Sequence, residues 1–146
     1  MKRWLVWLAT VLLSVCLVAC GASNGGAKTV ATVEKSGNFV AITVEEANGT
    51  DTLLQVMQGL QSAEKLVFTA DATGMVQSID GKQNAADWSP CWMLYISDPE
   101  LANTEWGTIE YNGETYGSAI LGASALTVEA GTVYVWSYQS SDTYSL

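Results

Sequence analysis

Apolar and polar residues alternate with a two-residue period over most of the sequence, which predicts a series of short β-strands. Residues 29–34 and 39–44 are rich in Val, Ile and Thr, and the polar segment 35–38 between them contains a glycine. This spacing predicts a β-hairpin. Further strands are predicted over residues 65–70 and 75–79.

One segment departs from the strand period. Four apolar residues recur at the i, i+3, i+4 and i+7 spacing of a helix face, namely Leu53, Val56, Met57 and Leu60. This spacing predicts an amphipathic helix whose apolar side packs against a sheet. Thr50 or Asp51 is the expected N-cap, because short polar side chains accept hydrogen bonds from the first free amides of a helix. The helix is expected to end near Ser62.

Two strands are predicted to be covered on both faces. In the first, residues 91–96, Trp92, Leu94 and Ile96 share one face. The alternate residues Cys91, Met93 and Tyr95 share the other face and are equally apolar, which predicts a central strand. In the last strand, residues 132–138, a face of valines lies opposite a face of aromatic rings: Val133 and Val135 against Tyr134, Trp136 and Tyr138.

A polar loop, residues 80–90, precedes the first of these strands, and Trp88 and Trp92 bracket its exit. Large amphipathic rings at such a junction either close a core or form one wall of a ligand pocket. Core or rim packing is the commoner of the two.

A second polar segment, residues 99–117, contains a short predicted strand at 108–111 and a hairpin signal at Asn112-Gly113. Short strands are predicted after it at 118–121 and 125–128.

The order of these elements predicts one α+β domain, with a single helix packed on one face of a mixed sheet. A hairpin, a helix and then further strands fit a β-grasp-like fold. An immunoglobulin-like β-sandwich is the alternative, but that fold does not normally place a helix of about three turns between its second and third strands.

The first nineteen residues have the features of a secretory signal. Lys2 and Arg3 precede an almost wholly apolar run over residues 4–18, and the segment 17–20 reads Leu-Val-Ala-Cys. This segment resembles the lipobox of bacterial lipoproteins, which predicts cleavage before Cys20 and lipidation of Cys20. An uncleaved signal-like anchor is the alternative, although the run is short for a transmembrane helix.

The predicted organisation is therefore a signal peptide (1–19), a Gly-, Ala- and Ser-rich flexible tether (20–28), one domain (29–139) and a polar tail (140–146). Four basic and fifteen acidic residues remain after cleavage, which gives a formal charge of −11. Such a charge repels phosphate backbones and anionic headgroups, so nucleic acid is not an expected partner. The acyl chains are expected to hold the protein on the extracytoplasmic face of a membrane.

Cysteine and histidine usage narrows the chemistry. Cys91 is the one cysteine left after cleavage and lipidation, so no internal disulfide is expected, and it is interpreted as a small buried hydrophobe. The sequence contains no histidine, which excludes Ser-His-Asp triads and histidine-bearing zinc sites. The adjacent acids Glu45 and Glu46 point to opposite faces of a strand. We expect no enzyme, no metal site and no covalent cofactor other than lipid.

Three segments and the helix start resemble a known family. They are residues 74–81 (GMVQSIDG), 92–96 (WMLYI), 131–138 (GTVYVWSY) and 52–54 (TLL). In this order they are similar to the C-terminal β-domain of transcobalamin and intrinsic factor, and to bacterial transcobalamin-like domains, many of which are lipoproteins. The resemblance covers nearly all of residues 29–138, except that the 99–117 segment is longer than in the family.

The resemblance implies a β-grasp-like fold that binds a soluble ligand, with cobalamin or a related corrinoid as the candidate. In the vertebrate proteins a large helical domain, which these 146 residues do not include, holds the other side of cobalamin. The family loop before the strand at 92–96 faces the corrin, and its counterparts here are Asn84, Asp87, Trp88 and Trp92.

Two function classes follow. The first is a lipid-anchored module that captures a small ligand at the cell surface and serves a transporter or another surface protein. The second is an adhesion or scaffold module whose aromatic surface contacts protein or glycan. A concave, aromatic-lined pocket beside Trp88 would favour capture, and a flat aromatic patch would favour protein contact.

The anchor can be tested by replacing the predicted lipid site. Cys20→Ser should move the protein from the membrane fraction to the medium or periplasm, because the acyl chains supply its membrane affinity. Cell fractionation with immunoblotting measures this shift, with Cys91→Ser as the control that should stay in the membrane fraction. Unchanged membrane retention of Cys20→Ser would refute the lipid-anchor prediction.

Overall fold

The computed structural model describes residues 27–140 of the chain, which cover the predicted domain. The predicted signal peptide, Cys20 and nearly all of the predicted tether and polar tail lie outside the described residues. Nine strands and one helix occur in the described part: β1 (Val30–Ser36), β2 (Phe39–Glu46), α1 (Leu53–Ser62), β3 (Phe68–Ala70), β4 (Val76–Ile79), β5 (Lys82–Gln83), β6 (Cys91–Ile96), β7 (Ala102–Tyr111), β8 (Glu114–Ala119) and β9 (Val133–Gln139).

The strands form two antiparallel sheets. The larger has six strands in the order β1-β2-β9-β6-β8-β7, and the smaller has three in the order β3-β4-β5. The α+β class is confirmed. The mixed sheet expected from the sequence is wrong, because every strand pair in the described residues is antiparallel. Strands β6 and β9 lie at the centre of the larger sheet, as their two apolar faces predicted.

The segment interpreted as a polar excursion is the β7–β8 hairpin at the edge of the sheet. Asn112 and Gly113 form its turn with φ angles of 50° and 79°, the positive values that a two-residue hairpin turn requires. Five of the ten residues of β7 are exposed and only Tyr111 is buried, which is why its sequence shows little alternation of apolar and polar residues. The predicted strand at 125–128 is also wrong, since only Thr127 forms an isolated bridge, with Thr52.

Helix α1 is capped by Thr52, one residue after the closer of the two predicted caps. Thr52 Oγ1 accepts a hydrogen bond from the backbone N of Gln55 at 3.3 Å, and Gln55 Oε1 accepts from the backbone N of Thr52 at 2.8 Å. This reciprocal pair is a capping box, which neither Thr50 nor Asp51 would complete. All four residues of the predicted stripe are buried. In the described part of the chain no helix has the length and apolar character needed to cross a bilayer.

The two faces of the six-stranded sheet bury separate cores. One face packs against α1 and the smaller sheet, through side chains such as Ile42, Leu94 and Trp136. The other face buries a cluster that includes Tyr95, Tyr111, Tyr116 and Val135. The rings of Phe39 in β2 and Tyr111 in β7 lie 5.5 Å apart, although four strand spacings would separate them by about 19 Å in a flat sheet. The sheet is therefore strongly curled, and its concave face covers itself.

Aromatic side chains hold the smaller sheet to the larger one. Trp92 Nε1 donates to the backbone O of Lys82 at 2.8 Å, and the Tyr138 hydroxyl donates to the backbone O of Gln83 at 2.7 Å. The two rings also contact each other, with centroids 5.0 Å apart. Both carbonyls of β5 are thus satisfied by side chains from the centre of the larger sheet.

The burial of the helix stripe predicts a large stability loss on truncation. Leu53 is 0% exposed, so Leu53→Ala should lower the free energy of unfolding by about 2–5 kcal/mol. Gln58→Ala, on the exposed side of the same helix, should change it by less than about 0.5 kcal/mol. Urea denaturation measures both values. A Leu53→Ala loss as small as that of the control would mean that the stripe does not hold the helix on the sheet.

Candidate functional site

A cavity of about 410 Å³ opens beside the first half of β6. Its walls come from the turn between β3 and β4, the loop before β6, the strands β6 and β9, and the segment that follows β8. The lining residues are Thr73, Gly74, Met75, Val76, Trp88, Cys91, Trp92, Met93, Leu94, Ser118, Ala119, Ile120, Leu121, Gly122, Ala123, Ser124 and Trp136. Most of these side chains are apolar and none is charged.

The cavity lies where β8 separates from β6. Strand β8 pairs with β6 only through Tyr95 and Ile96, so the earlier residues of β6 have no strand neighbour on that side. Just after Ala119 the chain still follows the start of β7, since the backbone N of Ile120 donates to the backbone O of Leu101 at 3.0 Å. The departing segment and the first half of β6 therefore enclose a space between them.

Three tryptophans line this space in different ways. Trp88 lies at the rim and is 48% exposed. Trp92 and Trp136 are buried in the wall, and the indole N–H of Trp92 is already bound to Lys82. The indole Nε1 of Trp136 is buried and has no hydrogen-bond partner among the described residues.

The mouth of the cavity is unusually apolar for a protein surface. Seven large hydrophobic residues are exposed in the part of the chain that the structure describes, and four of them line this cavity: Met75, Trp88, Ile120 and Leu121. Single exposed hydrophobic residues are ordinary, whereas a contiguous group around a concave surface marks an interaction site. The apolar rim is therefore an observation in favour of ligand binding here.

The backbone at Trp88 is held in a conformation that a tryptophan rarely adopts. Its φ angle is 63°, and its backbone N donates to the backbone O of Ala85 at 2.9 Å, which closes a turn. The left-handed region costs a residue with a side chain about 1–2 kcal/mol. Such strain concentrates at ligand clamps and active sites, where the surrounding structure maintains it.

Asn84 and Asp87, the two polar residues predicted for the site, do not line the cavity. Asn84 Oδ1 accepts from the backbone N of Trp92 at 2.8 Å, and its Nδ2 donates to the backbone O of Val76 at 2.9 Å. Both ends of this amide are therefore engaged within the protein. Asp87 is exposed and accepts from the backbone N of Ser89 at 3.3 Å. Of the four predicted residues, the structure brings Trp88 and Trp92 together at the cavity.

Several residues of the cavity are not predicted as site residues from the sequence. The alternation of residues 132–138 places Trp136 on a strand face, and Met75 falls in a predicted strand. Ile120 and Leu121 also fall in a predicted strand, 118–121, whereas β8 ends at Ala119. Two adjacent large apolar residues directly before Gly122 are the signal that could have indicated the rim.

The cavity is electrically neutral. Cys91 lies in its wall, and burial raises the pKa of the thiol, so the group stays protonated near neutral pH. Within residues 27–140 no group of three or more His, Cys, Asp or Glu side chains is placed to hold a metal ion. The chemistry that this site offers is therefore apolar contact.

The chain was compared with protein-family models, curated proteins and solved structures, and no match was found. The resemblance to transcobalamin-type domains stays a prediction. The cavity itself is the feature that bears on function.

The hydrogen bonds of Asn84 predict a structural role that can be measured. Asn84→Ala should lower the free energy of unfolding by about 2–3 kcal/mol, because it leaves the Trp92 N–H and the Val76 carbonyl without a partner. Asp87→Ala, in the same loop but exposed, should change it by less than about 0.5 kcal/mol. Urea denaturation of both variants gives the comparison. Equal small losses would show that the Asn84 amide does not hold the loop to β6.

Proposed function

We propose that this protein is a lipid-anchored binding module that captures a small, largely apolar ligand in the cavity beside Trp88. The observation that carries the proposal is a concave, uncharged cavity with an exposed apolar rim. Its volume of about 410 Å³ lies within the range of small-molecule sites, about 300–1,000 Å³. A concave site of this kind favours capture over contact through a flat aromatic patch.

Burial of the rim supplies the driving force for binding. The exposed parts of Trp88, Met75, Ile120 and Leu121 would leave water when a ligand enters. Each Å² of apolar surface removed from water contributes about 25 cal/mol, and an aromatic contact adds about 0.5–1.5 kcal/mol. The ligand affinity is therefore concentrated in a few side chains that do not hold the fold together.

The predicted anchor sets where capture takes place. Lipidated Cys20 would hold the domain at the extracytoplasmic face of the membrane, and the nine residues of the predicted tether reach about 30 Å when extended. The charge of −11 keeps the domain off anionic headgroups. We propose that a transporter or another surface protein receives the ligand from this position.

A corrinoid is one candidate ligand, supported by the resemblance in sequence and by the apolar, aromatic wall. A cavity of about 410 Å³ suits a drug-sized ligand, so cobalamin would be covered on one side only. We also propose that the fold is β-grasp-like, as in that family, with the β7–β8 hairpin as an addition at the sheet edge.

A second candidate function is adhesion through the edge of the larger sheet. Trp106 is exposed on β7, and the outer edge of β7 has no strand neighbour in the described residues. Unpaired edges and exposed aromatic rings are common contact points for other proteins. If this surface and not the cavity is the functional one, Trp106 variants will lose partner binding while Trp88 variants keep it.

A thermal-shift screen that includes cobalamin and cobinamide tests the proposal most directly. A ligand at about 100 times its dissociation constant should stabilise the domain by about 2.7 kcal/mol. The mature chain, residues 20–146, should carry Cys20→Ser in this screen so that no lipid competes for the cavity.

Variants of Trp88 separate a site residue from a packing residue. Trp88→Ala should weaken binding of the uncharged fluorescent probe N-phenyl-1-naphthylamine by about 5- to 100-fold, since 1–3 kcal/mol of apolar contact is lost. Trp88→Gly should lose the same affinity yet raise the free energy of unfolding by about 1 kcal/mol, because glycine adopts the positive φ without strain. Probe titration and urea denaturation give the two numbers.

Trp106→Ala is the matched control, since it removes an exposed tryptophan that does not line the cavity. It should leave the affinity for the probe unchanged. A loss of several kcal/mol of stability in Trp88→Ala, or an unchanged affinity, would make Trp88 a packing residue and remove the basis of the proposal.

A further inference from the structure

The cavity meets strand β6 at the edge of the strand. Four consecutive residues of β6 line it: Cys91, Trp92, Met93 and Leu94. Successive side chains of a strand point to opposite faces of the sheet. Trp92 and Leu94 accordingly belong to the core on the α1 side, whereas Met93 packs against the second core. A cavity over one face would meet only every second residue, so this cavity reaches the edge, where the backbone groups of β6 lie.

The direction of those backbone groups follows from the pairing with β9. Ser97, directly after β6, donates from its backbone N to the backbone O of Val133 in β9 at 3.0 Å. The backbone groups of alternate strand residues point to the same side, so the odd-numbered residues of β6 face β9. The even-numbered residues, Trp92, Leu94 and Ile96, therefore direct their backbone groups away from β9, toward β8 and the cavity.

Strand β8 takes up only part of this edge. It pairs with Tyr95 and Ile96, and the ladder does not continue to Leu94. The backbone N of Trp92 is bound by Asn84 Oδ1 at 2.8 Å. Among the described residues, the backbone O of Trp92 and the backbone N of Leu94 are left without a hydrogen-bond partner.

These two groups mark an open position in the sheet. On one side the loop before β6 closes the edge, since the backbone N of Ala85 donates to the backbone O of Pro90 at 2.9 Å. On the other side β8 closes it. The acceptor on Trp92 and the donor on Leu94 flank Met93, and they are the groups with which a strand added beside Met93 would pair. The gap therefore matches the backbone of an extended peptide.

The walls set the character of such a peptide. No lining side chain is charged, and the exposed rim residues are Met75, Trp88, Ile120 and Leu121. In strand addition the main-chain hydrogen bonds hold the peptide, and contacts with alternate side chains select it. Apolar side chains suit this rim, while an ionised one would lose hydration without gaining a partner charge. A strand rises about 3.3 Å per residue, so the edge from residue 91 to 94 spans about 10 Å and faces three or four peptide residues.

We propose that the cavity binds an extended, apolar peptide segment, which donates a backbone hydrogen bond to the carbonyl of Trp92 and accepts one from the backbone N–H of Leu94. This inference rests on the proposed function, because it names the ligand class of the same cavity. The apolar side chains of the peptide cover the rim around Trp88. The two hydrogen bonds fix its register against β6.

The blocked tripeptide acetyl-Val-Phe-Val-amide is the probe. Its binding to the mature chain carrying Cys20→Ser is measured by displacement of N-phenyl-1-naphthylamine. Three analogues each carry one methylated amide nitrogen, which removes one N–H donor. Because neighbouring N–H groups of an extended peptide point to opposite sides, methylation should weaken binding at least about threefold at one nitrogen and be tolerated at the next. Three methylated peptides that all bind as tightly as the parent would overturn the pairing with Trp92.

A charged analogue tests the apolar class. Acetyl-Glu-Phe-Glu-amide should bind at least about tenfold more weakly than the parent, since the lining offers no cation and the protein is strongly acidic. Equal affinity would overturn the uncharged, apolar class. Trp88→Ala should weaken binding of the parent peptide, and the matched control Trp106→Ala should not.

Amide hydrogen exchange measured by NMR tests the other hydrogen bond without altering the protein backbone. In the free chain the Leu94 amide should exchange at least about tenfold faster than the Ile96 amide, which is paired with Gly117. The parent peptide should slow exchange at Leu94 and move its proton signal downfield, while Ile96 stays unchanged. A Leu94 signal that ignores a bound peptide would refute the assigned hydrogen bond.

The outcomes distinguish this inference from the proposed function. Suppose N-phenyl-1-naphthylamine binds in a Trp88-dependent manner, but the peptide does not displace it up to its solubility limit. The cavity then binds apolar ligands, and the peptide class is wrong. If neither the naphthylamine nor the peptide binds, the proposed function fails and this inference fails with it.

Discussion

The missing strand neighbour of the first half of β6 is the constraint on which the site depends. A central strand that loses its neighbour leaves backbone groups without partners, and buried groups of this kind must be satisfied in another way. Here a side chain replaces the strand, since Asn84 accepts from the backbone N of Trp92 and ties it to β4. An amide fills far less space than a strand would. The loop therefore follows β6 closely, while room for a cavity remains beside it.

The wall of the cavity is held more firmly than its rim. Strands β6 and β9 are buried on both faces, with Trp92 and Trp136 toward the cavity and Tyr95 and Val135 packed in the second core. The curled sheet encloses that second core without help from another element. If the proposed ligand binds, a wall fixed in this way would lose little conformational freedom, and the ordering cost would fall mainly on the ligand and on exposed rim side chains such as Trp88.

Features set by local pattern could be predicted from the sequence, and features set by register could not. The stripe of α1 and the two apolar faces of β6 are visible in residue spacing alone, whereas the edge strand β7 has too few apolar residues to show its period. The cavity could not be predicted from residue spacing alone, because Leu94 lies opposite Trp136 only through the pairing of β6 with β9. No local signal brings these two strands together, since the whole β7–β8 hairpin and the segment that follows it lie between them in the sequence. Trp88 could be predicted as a site residue because its loop directly precedes β6 in the sequence.

Two residues that line this cavity carry a local cost: Trp88 has a positive φ, and Trp136 has a buried N–H without a partner among the described residues. Among the described residues four that are not glycine have a positive φ: Glu64, Asp80, Trp88 and Asn112. Asp80 and Asn112 each precede a glycine in a hairpin turn, and Glu64 follows the C-cap of α1, so their conformations serve turns and helix ends. Trp88 occupies a position that a glycine would take without strain, and Trp136 holds a buried N–H that a phenylalanine would not have. Strain and an unpaired donor are independent kinds of cost. The ring of Trp136 packs in the buried core and stabilises the fold there, whereas Trp88 is 48% exposed, so the strained backbone of Trp88 is the cost that bears on the proposed ligand site.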